Sequence, residues 1–168
     1  MSGYNAVKAD ALMTELAEDK PPFLLDVRTA EEVEASGHIE GATFIPLNEL
    51  AQHIDLLPSF DTPIVTYCSS GWRATIAMTA LHGMGWTNVR ALKTSFEDWV
   101  AAGNPVVAGL PEAMPLNAAN PDPALVKAVD AYLVGIKDHG SKFGITTAEM
   151  LNTALAETPD LVVLDVRT

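Results

Sequence analysis

Pro63-Ile64-Val65-Thr66-Tyr67-Cys68-Ser69-Ser70-Gly71-Trp72-Arg73 runs from an apolar segment through a cysteine and a short polar loop into the start of a helical pattern. Residues 64–67 are too apolar and β-branched to alternate in and out. Such a run predicts a strand buried on both faces, which is the habit of a parallel sheet covered by helices. Working outward, Phe23–Val27, Thr43–Pro46 and Val89–Leu92 read as further strands of the same kind. Between them Ala9–Glu18, Ala30–Ala35, Asn48–Leu57, Ala74–Met84 and Phe96–Ala101 read as helices. Alternation of this sort predicts an α/β domain with helices on both faces of a parallel sheet. Thr29 with Glu32 three residues on forms a capping box, so the chain turns into a helix directly after Asp26-Val27-Arg28. Gly85 ends the fourth helix, and Gly103 with Pro105 ends the domain.

The chain has 168 residues, more than one such domain needs and fewer than two. Comparison of the sequence with itself accounts for the excess. Residues 8–29, KADALMTELAEDKPPFLLDVRT, match residues 147–168, TAEMLNTALAETPDLVVLDVRT, at 11 of 22 positions without a gap. The expected organisation is a complete domain over 1–106, a connector over 107–142 and the start of a second copy over 143–168. Pro, Asn and Ala dominate 104–121. Asp122-Pro123 then opens an amphipathic helix of about 122–139, with Leu125, Val129, Leu133 and Ile136 at helical spacing up to Gly140. That helix is expected to pack on the first domain or on the tail. Leu161-Val162-Val163-Leu164 reads as an apolar strand that needs a partner, from its own chain or from a neighbour's. A homodimer paired through 161–166 is one such arrangement.

Composition excludes several classes. At 48% hydrophobic and 19% charged residues the chain is not a disordered one. Acidic side chains outnumber basic ones 22 to 10, a formal charge of −12, which argues against nucleic acid or an anionic membrane as partner. No apolar run approaches a membrane span and no secretion signal opens the sequence, so a cytoplasmic location is expected. One cysteine allows neither an internal disulfide nor a thiolate metal cluster. His53, His82 and His139 lack ligand spacing, and no metal or cofactor is expected.

That cysteine is the centre of the functional reading. Cys68 lies at the carboxyl end of a predicted parallel strand, where open α/β sheets hold their ligands. It also faces the amino end of the next helix, whose free N–H groups favour an anion. Both features favour a reactive thiolate over a merely buried thiol. Gly71 lets the loop curl so that its N–H groups converge on the sulfur, and Arg73 adds a fixed positive charge.

These segments resemble the rhodanese-like sulfurtransferases, over about Tyr4 to Val106. Phe23-Leu24-Leu25-Asp26-Val27-Arg28 is similar to that family's first signature strand. Gly37-His38-Ile39-Glu40-Gly41-Ala42 with Ile45-Pro46 is similar to its amino-terminal signature. Tyr67-Cys68-Ser69-Ser70-Gly71-Trp72-Arg73 resembles the active-site loop, and Trp99 with Ala102-Gly103-Asn104-Pro105-Val106 the closing motif. Thr94-Ser95 stands where the family commonly has Gly-Gly, and Ser95 is expected to cap the next helix instead.

The resemblance implies sulfur transfer through a Cys68 persulfide, from a donor such as thiosulfate or 3-mercaptopyruvate to cyanide or a thiol. The amides of Ser69, Ser70, Gly71, Trp72 and Arg73 would cradle the sulfur, and Arg73 would draw in an anionic donor. Asp26 is expected in a structural more than a proton-transfer role, its carboxylate accepting loop N–H bonds or pairing with Arg28, and His38 is expected to hydrogen bond within its turn. Trp72 is expected at the pocket mouth. The second copy has no cysteine and cannot be a second site. Two alternatives remain. One is a persulfide carrier or partner-binding regulatory module. The other is a phosphatase of the same fold, whose loop has five residues between Cys and Arg where Cys68 and Arg73 enclose four.

Overall fold

The computed structural model describes residues 5–139 and 143–166. Tyr4, Gly140 and the repeated Arg167-Thr168 lie outside them. Five strands, β1 (Ala6–Val7), β2 (Phe23–Asp26), β3 (Thr43–Phe44), β4 (Ile64–Tyr67) and β5 (Val89–Leu92), form one parallel sheet in the order β1-β5-β4-β2-β3. The strand beginning the quoted stretch, β4, is central. Its register with β2 runs from Phe23 opposite Ile64 to Asp26 opposite Tyr67. The two chains therefore leave the sheet together, and the Val27 amide donates to the Tyr67 carbonyl at 3.0 Å. This shared exit places Asp26-Val27-Arg28 beside Cys68.

Helices α1 (Ala9–Leu16), α2 (Ala30–Ser36) and α3 (Trp72–Met84) connect strands, and α4 (Phe96–Ala101) follows β5. Successive strand residues face opposite sides. On one side Leu24, Val65 and Tyr67 join a core with Leu12 of α1 and with Phe96 and Trp99 of α4. On the other, the buried Thr66 hydroxyl donates to the Ala74 carbonyl at 2.9 Å and draws α3 onto β4. Ala74, Ala77, Ala80, Leu81 and Met84 make up the buried stripe of α3. Gly85 ends that helix in the left-handed region at φ 115°, with the Trp86 amide reaching back to the Leu81 carbonyl. Helix α3 begins at Trp72, two residues before the predicted start, so Trp72 and Arg73 belong to its first turn.

Two expectations need correction, and one strand was not expected. Residues 48–57 are not an α-helix but two short 3-10 turns, Leu47–Gln52 and Ile54–Leu56, broken at His53. A three-residue period brings Leu47 and Leu50 to the same buried side, which suits 3-10 geometry better than a four-residue stripe. Strand β1 is an addition: two residues on a sheet edge carry no periodicity to read. The predicted strand at 161–166 is absent, and these residues are irregular and exposed.

The chain divides into two compact units, one reaching Val134 and one from Gly135. The first includes most of α5 (Pro123–Ile136), whose Leu133 is fully buried and whose Asp130 accepts from Gln52 Nε2 at 2.8 Å. The connector is stitched back at its start. His38 and Val107 exchange both backbone hydrogen bonds at 2.8 Å. A Cβ on Gly37 would stand 2.5 Å from the Val107 carbonyl oxygen, and its φ is +76°, so only glycine fits there. The second unit contains α6 (Ala148–Glu157), capped by the Thr147 hydroxyl.

Candidate functional site

Tyr67 ends β4 and Gly71, at φ 85°, opens α3, so residues 68–71 fold into a tight loop at the edge of the sheet. The Cys68 side chain turns back under it. Its Sγ accepts from the Gly71 amide at 3.2 Å and from the Ala74 amide at 3.4 Å. These are donors of a helix amino terminus that have no partner inside the helix, directed at a sulfur. Cys68 is buried, and its carbonyl accepts from the Phe96 amide at 3.3 Å. The turn after β5 flanks the loop: a Cβ on Gly71 would meet the Leu92 carbonyl oxygen at 3.6 Å. Ser95 on that turn caps α4 in a full capping box with Asp98, as expected at the position of the missing Gly-Gly pair. Its neighbour Thr94 keeps a buried hydroxyl without a hydrogen-bond partner.

Arg73 is not a free cation. Its Nη1 and Nη2 hold the two oxygens of Glu32 at 2.6 and 2.7 Å, and Nη2 also reaches Ser69 Oγ at 3.1 Å. Ser69 donates its hydroxyl to the same carboxylate at 2.5 Å. Glu32 closes the capping box as well, accepting from the Thr29 amide at 2.8 Å. Partial burial works against the charged carboxylate. The hydrogen bonds from Arg73, Ser69 and Thr29 outweigh it and hold the Glu32 pKa down at about 2. Burial likewise works against the Arg73 cation, and the Glu32 and Cys68 side chains outweigh it and raise the Arg73 pKa. Sequence reasoning missed Glu32 as a site residue, and the Ala74 amide lies one residue beyond the predicted cradle. The signal for Glu32 was present in the capping box, but a cap at the start of α2 gives no sign of a second partner 41 residues away.

Asp26 and Arg28 form a fully buried pair. Arg28 Nε and Nη2 meet the Asp26 carboxylate at 3.0 and 2.6 Å, and the Arg28 amide donates to it at 3.1 Å. The remaining guanidinium donors go to the Gly37 carbonyl at 2.6 Å and Ser36 Oγ at 2.9 Å. The Phe96 ring covers its face at 3.8 Å. Tyr67 closes the same cluster, and burial and the Asp26 charge push its phenol pKa well above the usual value. His38 is buried away from this cluster's hydrogen bonds and pairs its Nδ1 with the Gly109 carbonyl at 2.8 Å. Trp72 is 46% exposed and lines an apolar groove between α3 and α5 with Ile76, Leu125, Val129 and Tyr132. Ser70 is exposed at the loop tip.

A cleft of about 650 Å³ opens beside Ser69, between α2 and α4, lined by Glu32, Ser36, Phe96, Glu97 and Val100 among others. Among the described residues no group of three His, Cys, Asp or Glu side chains is arranged to hold a metal. None of the helices described is long and apolar enough to cross a membrane. The arrangement suits nucleophilic chemistry at sulfur: a buried cysteine under converging amides at the carboxyl edge of a parallel sheet.

A model of the Rhodanese-like domain matches residues 8–102, and the chain belongs to that family. It is 38% identical over 76 residues to the uncharacterized protein YqhL of Bacillus subtilis, covering 45% of this chain and 59% of that protein. It is 28% identical over 113 residues to the human thiosulfate:glutathione sulfurtransferase, covering 60% of this chain and 96% of that enzyme. Among solved structures, a rhodanese-related protein from Thermoplasma volcanium superposes with a TM-score of 0.55 at 28% identity. That match covers 62% of this chain and 98% of the other.

Proposed function

We propose that the domain is a sulfurtransferase that carries a sulfane sulfur as a persulfide on Cys68. In the first step the Cys68 thiolate attacks the outer sulfur of a donor such as thiosulfate. The donor S–S bond breaks, sulfite leaves with the electron pair, and Cys68 becomes a persulfide anion. In the second step cyanide or a thiolate attacks the outer sulfur of that persulfide. Thiocyanate or a new persulfide departs, and the Cys68 thiolate returns. The observation that carries this reading is the pair of amides, Gly71 and Ala74, directed at Cys68 Sγ. Donors placed there stabilise a sulfur anion without reorganising during the reaction. The human relative named for thiosulfate and glutathione supports a small thiol as acceptor.

A phosphatase reading has less support. An arginine that holds a transferring phosphate must be available to it, whereas Arg73 is engaged by Glu32 through both terminal nitrogens.

Intact-mass measurement after incubation with thiosulfate tests the proposal. The expected result is a gain of one sulfur, lost on adding cyanide and absent in Cys68→Ser. Absence of an adduct with both thiosulfate and 3-mercaptopyruvate, together with hydrolysis of a phosphate ester, overturns it.

A further inference from the structure

Every charge that could steer a donor to Cys68 from inside the site is already matched by an opposite one. Arg73 is held by Glu32 at 2.6 and 2.7 Å. Arg28 is held by Asp26 at 2.6 Å and is fully buried. The cleft beside Ser69 adds Glu97 to Glu32; among the described residues its one cation is the Asp26-paired Arg28, and the rest of its lining is neutral, Ser36 and Ser69 with apolar side chains such as Phe96 and Val100. Lys93 sits on the turn flanking Gly71, but its side chain is exposed and its field is screened by water. The surrounding chain carries a formal −12. An incoming dianion therefore meets amide dipoles at the sulfur, both arginines of the site already paired, and only the water-screened Lys93 at its flank.

We propose that Glu32 sets the charge selectivity of this site: by neutralising Arg73 it favours sulfur donors with a single negative charge over dianionic ones. This rests on Cys68 being the sulfur-accepting nucleophile. When a thiolate attacks thiosulfate, three negative charges gather at the loop until sulfite departs. With a monoanionic donor only two gather. With Arg28 already matched by Asp26, neutralising the Arg73 guanidinium leaves that difference unopposed, and the Arg73–Glu32 pair is part-buried, where charges act more strongly than in bulk water. Glu32 is a positioning residue for Arg73 and Ser69 and touches no reacting atom in this scheme.

The test compares thiosulfate, a dianion, with benzenethiosulfonate, a monoanion. Both deliver the outer sulfur to a thiolate by the same S–S cleavage, releasing sulfite or benzenesulfinate with the electron pair. Second-order rate constants for Cys68 persulfide formation are read by intact mass, in the native chain and in Glu32→Gln. Glutamine keeps the size and the acceptor that a capping box needs, so the start of α2 is retained. The expected result is a rise of about fivefold in the ratio of the thiosulfate to the benzenethiosulfonate rate constant, the scale of one unit charge acting through a partly solvated site. Arg73→Met removes the cation and leaves Glu32 charged, so the same ratio is expected to fall below the native value. This second variant keeps the proposal decidable if Glu32→Gln does not fold.

Equal changes with both donors in each variant would mean that Glu32 only orders the loop, and would overturn the proposal. If neither donor adds sulfur to Cys68 in the folded native chain, the sulfurtransferase reading itself is wrong, and the selectivity proposal falls with it.

Discussion

Arg28 illustrates how a single side chain can be expensive to leave alone. Its guanidinium is fully buried and tolerable only because Asp26, Gly37 and Ser36 accept its protons and Phe96 lies against its face. Asp26→Ala removes the one negative charge in that set and strands the cation. A loss of about 3 kcal/mol is expected, because breaking a buried ion pair leaves an unpaired charge without water. Urea denaturation monitored by tryptophan fluorescence measures it. A change below about 1 kcal/mol would show that water enters the site and replaces the carboxylate. A structural role for Asp26, bonding loop N–H groups or pairing with Arg28, was legible in the sequence because both residues leave one strand at one sheet edge, and the carboxylate does both. The engagement of Arg73 was not. Glu32 and Arg73 are 41 positions apart on different helices, and only the neighbouring exits of β2 and β4 bring those helices together.

At the scale of elements, the start of α2 and the loop before α3 meet at one carboxylate. Glu32 has its pKa lowered in the folded state, so its contribution to stability is complete above the ordinary carboxylate range near 4.5. That contribution is lost as pH falls toward about 2. Native stability is therefore expected to drop between pH 4.5 and 2 more steeply than that of Glu32→Gln, a difference that denaturant midpoints across that range reveal. Parallel slopes would mean that the pair contributes nothing.

The strands of the first unit were legible because burial on both faces leaves a nearly unbroken apolar run. The same rule failed at 161–166, and the reason is instructive. Leu164-Asp165-Val166 repeats Leu25-Asp26-Val27 residue for residue. The first copy is buried in the sheet between β3 and β4, whereas Leu164 and Val166 are 79% and 77% exposed in an irregular segment. Sequence supplies the preference for a strand, but neighbours supply the hydrogen bonds that make one. The two 3-10 turns escaped notice for a related reason, since their three-residue spacing overlaps that of a helix over so short a stretch.

For the whole molecule, charge is the dominant property. The matched domain and its flanks, residues 1–103, carry 14 acidic and 6 basic side chains. All three arginines in that span are engaged by carboxylates, Arg90 by Glu15 in addition to the two pairs at the site. The remaining basic residues there are lysines at positions 8, 20 and 93, all exposed. A dianion thus approaches against the overall field. The rate constant for thiosulfate is expected to rise, about two- to threefold, as salt increases from roughly 10 to 150 mM and screening sets in. Stopped-flow or quenched mass measurements over that range check the sign. A rate that falls with salt would point to a local positive field stronger than the pairing of the arginines allows.

The double duty of Glu32 also has a kinetic side. The carboxylate that closes the first turn of α2 is the same one that anchors Ser69 and Arg73, so fraying of that turn cannot occur while the sulfur loop stays fully anchored. Brief local openings of the two segments are thereby joined into one cooperative event. How long the amides remain gathered on Cys68 is then set by the lifetime of a helix end that belongs to another part of the chain.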